Sequence, residues 1–238
     1  MEHISSFLNT GRSYIFSQFR QSDTAEGHAS TSFVTISRQT GAGGITIAEK
    51  LGNYLSEHDQ TLERDASWTV YEKNLIEQVI REHRLDPIVA NYMPEDAISE
   101  IDDILEGLFG LHPSEWSLVH KTAQTILRLA TQGHVILVGR AANLVTRQLE
   151  TGLHVRLVGS LERRARHLEE YYHWTTKQAK AAVEKEDTSR ANYLKKYFNA
   201  DINNPLLYHL VINTDHVSYD ETARIIWDAV LSPRKLNS

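Results

Sequence analysis

Gly41, Gly43 and Gly44 fall within four residues, between an apolar run and an amphipathic one, and this placement constrains the chain more than anything else in it. Phe33-Val34-Thr35-Ile36 reads as a buried strand, and Ile47-Ala48-Glu49-Lys50-Leu51-Gly52-Asn53-Tyr54-Leu55 reads as a helix. A strand, a glycine turn and a helix N-terminus together make an anion cradle. Glycines let main-chain N–H groups converge, and the helix start adds unpaired donors and a partial positive charge. The stretch from Gly41 to Thr46 is therefore expected to hold phosphate. Its plain alternative is a flexible turn.

From residue 33 onward, strands and helices alternate. Phe33–Ser37, Ser67–Tyr71, Val135–Val138, Leu153–Val158 and Leu210–Asn213 are the expected strands. Near-continuous apolar runs such as Val135-Ile136-Leu137-Val138 suit strands covered on both faces. Alternation of this kind predicts a parallel five-stranded α/β sheet with helices on both sides, and ligands at the strands' carboxyl ends. Thr175 with Gln178 and Ser218 with Glu221 fit the capping box.

Residues 33–238 are expected to form one domain, with a helical insertion at about 72–132. Residues 1–32 read as an N-terminal helix (Ile4, Phe7, Leu8, Tyr14, Ile15, Phe16, Phe19) followed by a polar linker. That helix and the insertion are the two surfaces through which a homodimer could form. The insertion carries Glu95, Asp96, Glu100, Asp102, Asp103 and Glu106, whose scatter fits a solvated helix face rather than acid–base chemistry.

Composition removes several function classes. The chain has 238 residues and a formal net charge of −6, which argues against a general nucleic-acid binder. It has no cysteine, which excludes a thiol nucleophile and a cysteine-built zinc site. Its 12 histidines show no metal-ligand spacing. No apolar run reaches the ~18 residues of a membrane span, and the N-terminus has no signal-peptide pattern, so the cytoplasm is the expected location.

Several cations and one acid sit where phosphate chemistry needs them. Gly139-Arg140 ends the third strand, where arginine suits bidentate contact with phosphate; a salt bridge to a nearby loop is the alternative. Arg163, Arg164 and Arg166 fall within four positions after the fourth strand and suit either a mobile lid or a solvated helix face. Asp187 and Arg190, three apart on a long helix, serve phosphates or ribose, or simply pair with each other. Tyr171-Tyr172-His173-Trp174 reads as core or lid packing, with base stacking as the alternative. Against the motif G-x-x-x-x-G-K-[ST], Arg38 stands for the first glycine and Gly44 for the lysine.

With these pieces placed, the chain resembles the cytidylate kinase-like family, a branch of the P-loop nucleoside monophosphate kinases. The likeness covers about residues 33–231. It rests on Val34 to Gly44, Ile136 to Asn143, Val155 to Glu162, Glu186 to Arg190 and Asn204 to Thr214, in that order. The resemblance implies a P-loop fold that uses ATP and Mg2+ to phosphorylate a nucleoside monophosphate or related small molecule. It places the nucleotide at Arg38, Gly41, Ala42, Gly43, Gly44, Ile45 and Thr46, with Thr46 also serving the metal. Arg140, Asp187, Arg190 and the lid arginine Arg164 are its implied catalytic residues. Ala141 replaces the family's acid after Gly-Arg, and Val183 replaces the first arginine of its Arg-Asp-x-x-Asp-x-x-Arg segment. The rival readings are a pseudo-kinase that binds nucleotide and regulates a partner, and an interaction protein with a vestigial cradle.

Overall fold

In the computed structural model, residues 32–59, 62, 67–72, 74–87, 90 and 115–232 are described. The expected N-terminal helix, its linker and the acidic part of the insertion lie outside them. The described residues belong to one unit, Ser32–Ser238.

Five parallel strands form the sheet: β1 (Phe33–Arg38), β2 (Thr69–Tyr71), β3 (Val135–Val138), β4 (Gly152–Val158) and β5 (Leu210–Asn213), in the order β2-β3-β1-β4-β5. β2 begins two residues later than the sequence suggests, because Trp68 is buried beside it and its indole N–H donates to Asp59 (2.9 Å). β1 is central. The chain leaves it toward β3 and β2, then returns across it to β4 and β5, so the carboxyl end of β1 is the switch point where such sheets place ligands.

Alternating β1 side chains explain the layering. Val34 and Ile36 face α1 (Gly44–His58) and α7 (Tyr219–Leu231). There Ile47, Leu51 and Leu55 meet Ala223 and Ile226 over Ile136, Val155, Leu157 and Ile212. Burying each large aliphatic chain contributes roughly 1.5–3 kcal/mol. Thr35 and Ser37 point the other way. On that side α3 (Glu115–Gln132), α4 (Ala142–Val145) and α6 (Thr176–Phe198) gather Val119, Leu144, Tyr193, Leu194 and Tyr197. α2 (Asn74–His83) packs on α3 through Val79 and Leu118.

α5 (Leu161–Tyr172) and α6 form a helical hairpin over the loop, and their caps show how the sequence sets it. Ser160 accepts from Arg163 N–H at the start of α5, and Thr175 with Gln178 closes a full capping box at the start of α6. At Ser218 only half of the expected box forms: the hydroxyl accepts from Glu221 N–H (3.2 Å). The hairpin turn corrects the core part of the core-or-lid reading: Tyr171, Tyr172 and Trp174 are exposed, with Tyr172 stacked on Trp174 at 4.7 Å and edge-on to Tyr171 at 4.8 Å. Among the described residues no helix is long and apolar enough to cross a membrane.

Candidate functional site

The glycine loop runs from Arg38, at the end of β1, to the first turn of α1. The helix begins at Gly44, earlier than the apolar pattern suggests, with Gly43 as its N-cap at φ 79 and no side-chain cap. Among the described residues no acceptor pairs with the N–H groups of Gly43, Gly44, Ile45 and Thr46. These donors and the helix dipole suit a phosphate chain. Thr46 lies in the same turn and is partly exposed.

The three glycines have a second reason to be there. A Cβ on Gly41 (φ +80) would lie 2.4 Å from the carbonyl oxygen of Arg164, and one on Gly43 (φ +79) would lie 2.4 Å from the Tyr219 ring. A Cβ on Gly44 would lie 2.9 Å from Cγ of Arg38. The Arg38 stem therefore crosses the position that a P-loop lysine would start from. Its guanidinium turns toward Glu72 at 3.9 Å.

The α5–α6 hairpin is tied to the loop through Thr40. Asp187 Oδ1 accepts from Thr40 N–H (2.7 Å), and Thr40 Oγ1 donates to Glu186 (3.1 Å). The buried Arg164 donates to Thr40 O (2.9 Å), Gly159 O (2.9 Å) and Asp187 Oδ2 (2.6 Å). Arg190 donates to Glu186 (2.8 Å), lies 3.5 Å from Asp187 and also reaches the Thr40 hydroxyl. A protein carboxylate thus already sits on one loop N–H, where an anion would be expected. Asp187 and Arg190 do pair, yet both also engage the loop.

Two clefts flank this junction. One, of about 330 Å³, lies between the loop, α5 and α7, and is lined by Gly41, Arg163, Arg164, His167, Asp215 and Tyr219. His167 meets Tyr219 edge to face at 5.6 Å, and burial together with Glu170 raises the Tyr219 phenol above its usual pKa. Arg163 donates to Asp215 O (2.8 Å), and Asp215 accepts from Ser160 N–H (2.9 Å), which holds its carboxyl below the usual range. The other cleft has about 10 Å³ of free space and is lined by Ser37, Arg38, Arg140, Asn143 and Arg190, among others. Arg140 and Arg190 therefore line the same cleft. Arg140 (φ 58) and Ala141 (φ 54) follow Gly139 (φ 83), three left-handed residues in succession, and such backbone concentrates at functional sites. Among the described residues no cluster of acids and histidines could by itself hold a metal ion.

Sequence reasoning missed Thr40, Glu186, His167, Tyr219 and Arg156. Tyr219 reads as an ordinary first-turn residue of α7. Arg156 had a visible signal: with His154 it breaks an apolar strand at period two, placing two polar groups on one face.

A parallel sheet in the order β2-β3-β1-β4-β5, with a glycine loop between its central strand and the next helix, defines a P-loop-type α/β fold. The chain belongs to the cytidylate kinase-like family, whose model matches residues 33–216. Among solved structures, it is similar to an uncharacterized protein from Eubacterium ventriosum ATCC 27560, with 16% identity and a TM-score of 0.62 over 85% of this chain and 100% of that one. Shikimate kinase from Bacteroides thetaiotaomicron is 12% identical, with a TM-score of 0.46 over 84% of this chain and 98% of its own. Shikimate kinase from Acinetobacter baumannii, in complex with shikimate, is 15% identical, with a TM-score of 0.45 over 84% and 93%. At 16% identity the first of these likenesses concerns fold alone. No curated protein matches the sequence.

Proposed function

We propose that the protein is a nucleotide-binding phosphotransferase that uses ATP and magnesium to phosphorylate a nucleoside monophosphate, cytidylate-like, or a related small molecule. The observation that carries this reading is the cleft of about 330 Å³ that reaches the loop at Gly41 and joins arginines to an aromatic wall. Its size suits a nucleoside, its aromatic groups suit a base, and the loop N–H groups suit phosphates. Bound magnesium would supply charge neutralisation, with Thr46 as the protein hydroxyl nearest its expected place.

This chain's own residues orient and neutralise charge. Gly43, Gly44, Ile45 and Thr46 offer main-chain donors to phosphate oxygens. Arg163 and Arg164 bring cations from α5, and Arg140 and Arg190 face the smaller cleft, where an acceptor would enter. Phosphoryl transfer asks for little more than this placement and charge compensation.

A second reading, a nucleotide-binding pseudo-kinase that regulates a partner, is favoured by a specific observation. Asp187 occupies Thr40 N–H, and the Arg38 stem fills the space above Gly44. Titration with a fluorescent ATP analogue in magnesium tests both readings, with saturable binding expected. ATP consumption across the common nucleoside monophosphates then separates them: turnover with at least one supports the phosphotransferase, and binding with no turnover supports the pseudo-kinase. Absence of binding removes both.

A further inference from the structure

Tyr219 is the first residue of α7 and lines the larger cleft, and its ring also lies against the glycine loop. Its Cζ atom is 2.4 Å from where a Cβ on Gly43 would stand, nearer than Cε1 (2.5 Å) or Cε2 (2.8 Å). The ring therefore meets the loop with its hydroxyl-bearing end. Phenylalanine would pack against Gly43 as well, so packing does not explain the hydroxyl. A tyrosine O–H withdrawn from water usually has a partner, because an unmade hydrogen bond there costs free energy. Tyr219 is partly buried, and among the described residues its hydroxyl has no hydrogen-bond partner. Burial and Glu170 raise its pKa, so it stays protonated, as a donor.

Beside that hydroxyl end stands the start of α1. Gly43 is the N-cap, and among the described residues the N–H groups of Gly44, Ile45 and Thr46 have no acceptor. Gly44 brings no side-chain donor to them. The nearby cations are engaged elsewhere. Arg164 donates to Thr40 O, Gly159 O and Asp187, Arg163 donates to Asp215 O, and Arg38 turns toward Glu72. Tyr219 thus brings to the loop a side-chain donor that no protein group has taken. It also touches both parts of the site: the cleft, which reaches the loop at Gly41, and the main-chain donors that begin at Gly43.

Resting on the phosphotransferase reading, we propose that the Tyr219 hydroxyl donates to the phosphate chain of the nucleotide held on the glycine loop, in place of the side-chain donor that Gly44 lacks. A phenol in that role orients a phosphate oxygen and neutralises no charge.

The test uses the full chain in magnesium, with inorganic tripolyphosphate as the probe in calorimetric titrations, alongside adenosine and a fluorescent ATP analogue. Wild type is compared with Tyr219→Phe, which keeps the ring on Gly43 and removes only the hydroxyl. Without ligand, the variant should unfold at the wild-type temperature or above it, since an unpartnered hydroxyl has gone. Tripolyphosphate and the ATP analogue should each bind at least about tenfold more weakly, the loss expected for one hydrogen bond to a charged oxygen. Adenosine affinity should be unchanged, because the ring remains. Wild type that binds no tripolyphosphate, or Tyr219→Phe within about twofold of wild type, overturns the assignment. So does a loss for adenosine as large as that for tripolyphosphate, which would put the hydroxyl on the nucleoside. Should Tyr219→Phe fail to fold, tripolyphosphate affinity in Tyr219→Leu equal to wild type is the overturning result. ATP consumption on the same samples scores the other reading separately. A tripolyphosphate loss in a chain that consumes no ATP with any nucleoside monophosphate leaves the hydroxyl's role standing and removes the phosphotransferase. ATP consumption with tripolyphosphate affinity unchanged in Tyr219→Phe does the reverse.

Discussion

The two clefts beside the glycine loop share that loop and little else. The cleft toward α5 and α7 is open, with an aromatic wall of His167 and Tyr219. The cleft toward β3 and α6 is nearly closed and rich in arginine. The difference comes from two neighbouring acids. Glu186 and Asp187, on consecutive positions of α6, draw Arg164 and Arg190 inward and fasten Thr40 between them. On the open side Asp215 takes Ser160 N–H and, among the described residues, no acid takes an N–H of the glycine loop from Gly43 to Thr46. An ion-pair network can fill a phosphate-sized space as well as a phosphate can. A glycine loop therefore does not reveal which of its two sides is ready to bind.

The largest effect should come from the ion-pair network between the clefts. Arg164→Ala removes a buried cation and leaves Asp187 partly unpaired. Breaking a buried pair costs about 3–5 kcal/mol, and the partial exposure of Asp187 puts the expectation near the lower end. Chemical unfolding should show a loss of about 3 kcal/mol; a loss below about 1 kcal/mol would mean the network does not hold the hairpin on the loop.

Next comes the open side. Gly43→Ala places a Cβ inside the Tyr219 ring at a left-handed residue, so about 2–3 kcal/mol should be lost from strain and overpacking. Combining it with Tyr219→Gly should recover the overpacking part. Additive losses in that double-mutant cycle would show that Tyr219 does not press on the loop.

Thr175→Ala opens the capping box at the start of α6 and should cost about 1 kcal/mol, read from the same unfolding curves. It lines neither cleft, so nucleotide affinity should be unchanged; a marked fall would show that the hairpin tip reaches the ligand.

Arg38→Ala should matter least to stability, by about 0.2–1 kcal/mol, since its pair with Glu72 is long. Its informative readout is ATP affinity. With the guanidinium drawn to Glu72 and the stem above Gly44, the substitution should leave affinity equal or better. A clear loss would instead make Arg38 the stand-in for the missing lysine and blur the contrast between the clefts.

Much of the fold was legible from sequence because its signals are local. Val135-Ile136-Leu137-Val138 is a buried strand at both levels, since a parallel sheet covered on both faces needs continuous apolar residues. Thr175 announces α6 because a capping box is built within four residues. Errors arose where local signals were absent. Tyr171, Tyr172 and Trp174 carry no mark of facing solvent, and the start of α1 was obscured by glycines that are poor helix formers.

The sequence by itself determined the order of elements, the family and the set of arginines, because apolar period, caps and motif order are written within short stretches. Only the tertiary structure decided what those residues meet. Gly41 faces a carbonyl from a residue 123 positions later, Gly43 a ring 176 positions later, and Thr40 a carboxylate 147 positions later. Such pairings follow from how helices pack over a sheet edge, and no local pattern encodes them. The same holds for Arg156. Its strand position could be read from alternation, but that its buried Nε has no partner among the described residues shows only in the tertiary structure.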